Sequence, residues 1–241
     1  MRIGVCQTSE ILGDVDAAVK VVQRFAEHAA AAEVDLLLFS ECFLQGYLLT
    51  EGHVHGQAFE IGSADFDTVL ARLEGLLPVL VLGMIERSGH RYYNTAAVID
   101  SGRAIGRYRK TFLTSGESIF SCGDEYPVYD VAGVRFGINI CYDTQFSEAS
   151  AAVAAGGASL LLVPAQNMMR REKAIWWQDR HNEIRACRAR ETGMWLASAD
   201  VTGDRDHDQI GLGPSGFLSP TGEVTAQVPI GEVGMVIADI R

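Results

Sequence analysis

The chain has 241 residues, enough to bury one sizeable core, and its 48% hydrophobic and 21% charged content is that of a globular protein. A formal net charge of −11 argues against a nucleic-acid partner, which would call for an excess of Lys and Arg, and no apolar run approaches the roughly 18 residues of a membrane span. Five scattered cysteines without CxxC spacing, behind an amino terminus with no signal-peptide layout, point away from a disulfide framework or a structural zinc site and toward a reduced, cytoplasmic setting.

Residues 3–7 predict a first strand. From Asp14 or Asp16 the period changes: Ala18, Val22, Phe25 and Ala29 fall on one helical face, with acidic residues at its start. Residues 36–39 are apolar without alternation, as in a strand buried on both faces, and Glu41 stands just beyond them. The weakly patterned stretch 46–62 reads as a lid or pocket-rim loop. A helix is predicted over 66–76, then a buried strand over 79–85. Residues 93–99 and 104–108 flank Ser101-Gly102 as a hairpin, and Lys110 follows its second strand. Strands at 128–131 and 134–140 come next, with Cys141 the first residue after them.

Ser147 is placed to cap an Ala-rich helix that stops at Gly156-Gly157. A strand over 158–163, one long helix over 171–192 and a strand over 194–199 follow. A hairpin at 215–218 and 223–228, turning at Thr221-Gly222, precedes a last strand over 234–240. Strands and helices intermix throughout, so the class is α/β. With no linker, repeat or low-complexity stretch, residues 1–241 read as a single domain.

Glu41, Lys110 and Cys141 each stand just past a predicted strand, where sheets fix position and loops give access. Brought together, they would make an acyl-transfer centre. A thiol is a nucleophile once deprotonated, a carboxylate can take its proton, and a fixed ammonium can hold a developing oxyanion. Taken singly, each has an ordinary reading: Cys as buried filler, Glu and Lys as solvated or ion-paired groups. Spacing alone does not show that they meet.

The segments Phe39-Ser40-Glu41, YRKTFL at 108–113 and GINICYD at 137–143 resemble, in order, the three motifs of the nitrilase (carbon–nitrogen hydrolase) superfamily. There a strand runs into Phe-Pro-Glu, followed later by Tyr-Arg-Lys-Thr/Ile-His-Leu and Gly-hydrophobic-x-Ile-Cys-Tyr-Asp. The similarity continues through Arg188-Ala189-Arg190 and Ser219-Pro220-Thr221-Gly222-Glu223, and so covers nearly the whole chain. The resemblance implies Glu41 as base, Lys110 as catalytic lysine and Cys141 as nucleophile, with the Tyr142 amide sharing the oxyanion hole. It implies that Glu117 helps to position substrate or lysine. Tyr47, Gln166 and Asn167 are further substrate-binding candidates on loops around the site.

It also implies a four-layer αββα sandwich, a homodimer or larger homo-oligomer, no metal and no organic cofactor. The expected substrate is a small amide or N-carbamoyl compound. The chain is read as closing at Asp239-Ile240-Arg241, without a tail or a following synthetase domain. Ser40, Phe112 and Ser147 replace a Pro, a His and a Pro of the family pattern and bear on specificity and local geometry.

Nitrilase or acyltransferase activity on the same triad is the nearest alternative, and a catalytically silent scaffold protein the alternative from another class. Gly211-Leu212-Gly213-Pro214-Ser215-Gly216 fits GxGxxG but precedes a strand, which fails the context of a dinucleotide site. There is no GxSxG elbow, and His53, His55 and His207 lack metal-site spacing.

Overall fold

The computed structural model describes residues 1–240; Arg241, read as the close of the domain, lies outside them. Among the described residues the strands form a nine-stranded and a six-stranded sheet. The first contains β1 (Arg2–Ser9), β2 (Leu36–Leu38), β3 (Val79–Ser88), β4 (Arg91–Asp100) and β5 (Arg103–Arg109). These run in the order β5-β4-β3-β2-β1, with β1, β2 and β3 parallel and the remaining pairs antiparallel. The second contains β6 (Val128–Val131), β7 (Val134–Ile138) and β8 (Leu160–Pro164), with β7 and β8 parallel. The short β9 (Met169–Arg170) belongs to the first sheet, and β10 (Trp195–Ala199) to the second, parallel to β8. β11 (Val201–Asp204) and β12 (Gln209–Leu212) extend the first sheet beyond β1 to β9. β13 (Gly216–Leu218) and β14 (Val224–Gln227) complete the second, and β15 (Gly234–Asp239) pairs antiparallel with β1.

The period of two along each strand explains the layering. Leu36 and Leu38 point to one face of β2 and join Val5, Val81, Phe136, Ile138, Leu162 and Ala197 in a core between the two sheets. Leu37 points to the other face, where α1 (Val15–Ala31) and later α3 (Ala64–Ala71) pack through Val22, Phe25, Phe66 and Leu70. On the far side, Val153 of α4 (Ser147–Ala155) and Ala186 and Ala189 of α6 (Arg180–Thr192) cover Leu161, Val163 and Leu196. Helices therefore cover both outer faces of two packed sheets, an αββα sandwich. Leu36, Leu37 and Leu38 are fully buried, as a strand covered on both faces requires.

α1 starts where the acidic residues stand: Asp14 Oδ1 accepts from the Ala17 amide at 2.9 Å. Ala18, Val22, Phe25 and Ala29 are its buried stripe. Four expectations are corrected. The stretch 46–62 is not all loop but includes α2 (Glu51–Gln57), capped by the Thr50 side chain. The helix expected over 66–76 stops at Ala71, because Gly75 adopts φ +78° and leads the chain out before Pro78. Ser147 is the first residue of α4 and makes no cap bond; Phe146 holds the cap position because a 3-10 turn runs straight into the helix.

The helix expected over 171–192 is two helices, α5 (Arg171–Trp177) and α6, parted at Gln178-Asp179. Backbone dihedrals stay in the right-handed helical range there, yet the regular bonding lapses, in a stretch of Trp and Asp with modest helix propensity. Gly193 at φ +71° ends α6 in the left-handed cap. No helix among the described residues is long and apolar enough to cross a membrane.

Candidate active site

Glu41, Lys110 and Cys141 arrive at one place from different strand ends. Beyond β2, Phe39 still donates to Val81 O at 3.0 Å, and the Glu41 amide then donates across to Ala165 O of the second sheet at 3.2 Å. The chain can turn there because Gly83 on β3 has no side chain: a Cβ would lie 2.2 Å from Ser40 O and 2.4 Å from Cys42 N. Lys110 follows β5, its amide donating to Asn94 O at 2.8 Å. Cys141 opens a 3-10 turn (Cys141–Gln145) after β7, with φ at +43°, a left-handed conformation that costs a non-glycine residue of order 1–3 kcal/mol.

Asp143 holds that turn to the Lys110 segment. Its Oδ2 accepts from Ile140 N and from the Tyr108 hydroxyl, both at 2.7 Å, and its Oδ1 accepts from Phe112 N at 2.8 Å and Thr111 N at 3.2 Å. One buried carboxylate thus joins the end of β5 to the turn that carries Cys141.

Lys110 Nζ donates to Glu41 Oε1 at 2.8 Å and to Glu117 Oε1 and Oε2 at 2.8 and 3.0 Å. Asn94 Nδ2 bridges the same two carboxylates, at 2.6 Å to Glu41 and 3.0 Å to Glu117, and Glu117 also takes the Thr114 amide at 2.8 Å. All of these side chains are buried. Burial pushes the Glu41 carboxyl up to about 7, against the pull of Lys110 and with a further push from Glu117. Burial acts the same way on Glu117, but Lys110 and the donors around it outweigh burial and hold it below the usual carboxylate range. Lys110 loses by burial and gains more from its acidic neighbours, so its ammonium is held firmly. Burial, then the charge of Glu41, raise the Cys141 thiol well above its ordinary value. Burial thus favours the protonated thiol, and a carboxyl near 7 is poised to gain or lose a proton around neutral pH.

Glu41, Lys110 and Cys141 share a cavity of about 420 Å³, within the size range of small-molecule sites. Tyr47, Tyr142, Gln166 and Asn167 line it, as expected. Glu117 does not: it is fully buried and touches Lys110 instead, which favours the lysine-positioning half of its expected role. The Tyr142 amide precedes the first internal bond of the 3-10 turn, Asp143 N to Ile140 O at 3.0 Å, and such leading N–H groups have no acceptor within their own turn. Asn167 Oδ1 lies 3.9 Å from Cys141 Sγ, and its amide group is gripped by Asp200 through Nδ2 (2.5 Å) and backbone N (2.9 Å). Arg185 pairs with Asp200 at 3.4 Å and donates to Pro214 O at 2.8 Å.

Asn94, Asp143, Arg185 and Asp200 are the site residues that sequence reasoning missed. Asn94 had a weak signal, standing with Thr95 as a polar pair in the middle of a strand whose later residues are apolar. Asp143 lay inside a quoted motif without an assigned role. Arg185 and Asp200 had none, since their pairing is visible only in three dimensions. His53 and His55 are engaged elsewhere, His53 with Gly46 O at 3.1 Å and His55 stacked on Tyr92.

A sequence model described as carbon-nitrogen hydrolase matches residues 2–241. The chain belongs to the carbon–nitrogen hydrolase family. Among its relatives, an (R)-stereoselective amidase of Pseudomonas sp. is 30% identical over 86% of this chain and 73% of its own length. A glutamine-dependent NAD(+) synthetase of Rhodobacter capsulatus is also 30% identical; all of this chain aligns, but it spans only 43% of that protein. Among solved structures, the amidase of Nesterenkonia sp. AN1 superposes with a TM-score of 0.85 at 25% identity, covering 100% of this chain and 93% of that one. The family membership and the αββα fold therefore agree with the resemblance read from the three motifs.

Proposed function

We propose that this chain, as one domain over residues 1–241, hydrolyses a small linear amide or N-carbamoyl compound through a thioester on Cys141. The observation that carries the reading is the Lys110 ammonium, 2.8 Å from both Glu41 and Glu117 and sharing a cavity with Cys141. The amidases among the relatives support an amide, and nitrilases 1 and 3 of Arabidopsis thaliana, 28% and 27% identical over 78% of their own length, keep a nitrile as the nearest alternative.

Glu41 takes the Cys141 proton as sulfur attacks the carbonyl carbon, forming the C–S bond and a tetrahedral oxyanion. Lys110 and the Tyr142 amide hold that oxygen; loss of one such donor typically costs about 100- to 1000-fold in rate. Collapse breaks the C–N bond, and Glu41 passes its proton to the departing ammonia or amine. Water then attacks the thioester, giving a proton to Glu41 and on to sulfur, and the carboxylic acid leaves. A carboxyl held near 7 suits both halves of this cycle. A thiol nucleophile persists in a reducing compartment, so we place the enzyme in the cytoplasm, and the family resemblance suggests a homodimer or larger assembly.

Ammonia release from a panel of primary amides, N-carbamoyl compounds and nitriles tests the reading, with hydroxylamine added in parallel. Release from amides or carbamoyl compounds is expected, with the carboxylic acid as main product from amides and the free amine with carbon dioxide from carbamoyl compounds. Turnover of nitriles alone, or exclusive hydroxamate formation, would replace it with the nitrilase or acyltransferase alternative.

A further inference from the structure

The charges around the cavity are paired with one exception. Lys110 lies between Glu41 and Glu117, and Arg185 against Asp200. At the start of α5, Arg170 and Arg171 are drawn to Asp208 and Asp204, at 3.5 and 2.7 Å. Lys173, one turn further on, also lines the cavity, is exposed, and has no acidic partner among the described residues. His181 adds no charge beside it: burial, then the Arg185 charge, hold its ring neutral, down to about 3. Its face stacks on Trp177, with centroids 5.2 Å apart and planes 19° from parallel.

The cavity is therefore polarised. Its buried end holds Glu41 and Glu117 around one ammonium, and its exposed rim holds a free ammonium on an otherwise acidic molecule. Trp177, Ile184 and Met169 supply apolar wall. A ligand carrying a negative charge is repelled at the buried end and attracted at the rim, which orients it with its neutral carbonyl group inward.

We propose that Lys173 receives a carboxylate at the far end of the substrate, so that the preferred substrate is a small aliphatic amide bearing an ω-carboxylate. The proposal rests on the hydrolase reading above and adds the substrate class. A partly solvated ion pair of this kind amounts to roughly a twofold to fivefold preference in kcat/KM.

The test compares monoamides of dicarboxylic acids having two to four methylenes with neutral amides of equal chain length. Wild type, Lys173→Gln, Lys173→Arg and Lys173→Glu are each assayed. Wild type should favour the carboxylate compound about twofold to fivefold, carried mainly by KM. The ratio should fall toward one in Lys173→Gln, persist in Lys173→Arg and shift toward ammonium-bearing amides in Lys173→Glu. Equal handling of charged and neutral amides by wild type, or a preference that survives in Lys173→Gln, overturns the carboxylate assignment and leaves the hydrolase reading standing. No Cys141-dependent turnover anywhere in the series overturns both.

Discussion

Glu41 and Glu117 contact the same ammonium and share the Asn94 amide, yet their proton affinities part. Glu117 takes two of the three bonds from Lys110 and a backbone N–H, and stays ionised. Glu41 has fewer compensating donors, and burial lifts it to about 7. In the proposed mechanism the two carboxylates of one pocket take different tasks, a fixed counter-charge and a base. Since the base works deprotonated, activity should fall as pH drops through about 7. Glu117→Gln removes a negative charge that raises the Glu41 carboxyl, so the acid limb of the kcat/KM profile should move to lower pH. With Lys110 less firmly held, kcat should also fall by about 10- to 100-fold. A limb that stays in place or moves upward would show that Glu117 does not set the charge of the base. Glu41, Lys110 and Cys141 were legible because each belongs to a motif; a lone cysteine among five carries no such message. Asn94 was harder to read, since an inward polar residue in a strand gains meaning only from the carboxylates folded against it.

At the scale of elements, the site depends on loops that the sheets hold in place. Asp143 takes bonds from Ile140, Phe112, Thr111 and Tyr108, and so ties the end of β5 to the turn after β7. Asp143→Asn weakens several charge-assisted bonds at once and puts an amide N–H where acceptors are needed, at a cost of about 2 kcal/mol or more. The unfolding midpoint should fall accordingly, and kcat should drop because Cys141 and Lys110 lose their shared anchor. A variant with wild-type midpoint and rate would contradict this role. The strands before Glu41, Lys110 and Cys141 were legible from apolar runs and hairpin punctuation. The α5–α6 break was not, because a lapse in helical bonding with near-helical dihedrals leaves no Gly or Pro behind. The hairpin of β11 and β12 was also missed: its turn is rich in Asp, and its strands are short and only partly apolar. The stretch between the strands predicted at 194–199 and 215–218 therefore showed no element, although it extends the first sheet.

For the molecule as a whole, Glu41 and Lys110 come from the first sheet and Cys141 from the second. The core between the sheets sets their separation, and the bond from Glu41 N to Ala165 O crosses from one to the other at the site itself. The α/β class followed from intermixed periodicities, whereas the four-layer arrangement followed from the family resemblance. Which sheet face meets which is decided by complementary side chains that no local pattern displays. We propose that this convergence makes Cys141 the nucleophile. The most direct test is kcat/KM for Cys141→Ala on the amide that wild type turns over best, with the fold of the variant checked by circular dichroism. A loss of about 10⁴-fold or more in a folded protein is expected; a folded variant that keeps wild-type kcat/KM would rule out Cys141 as nucleophile.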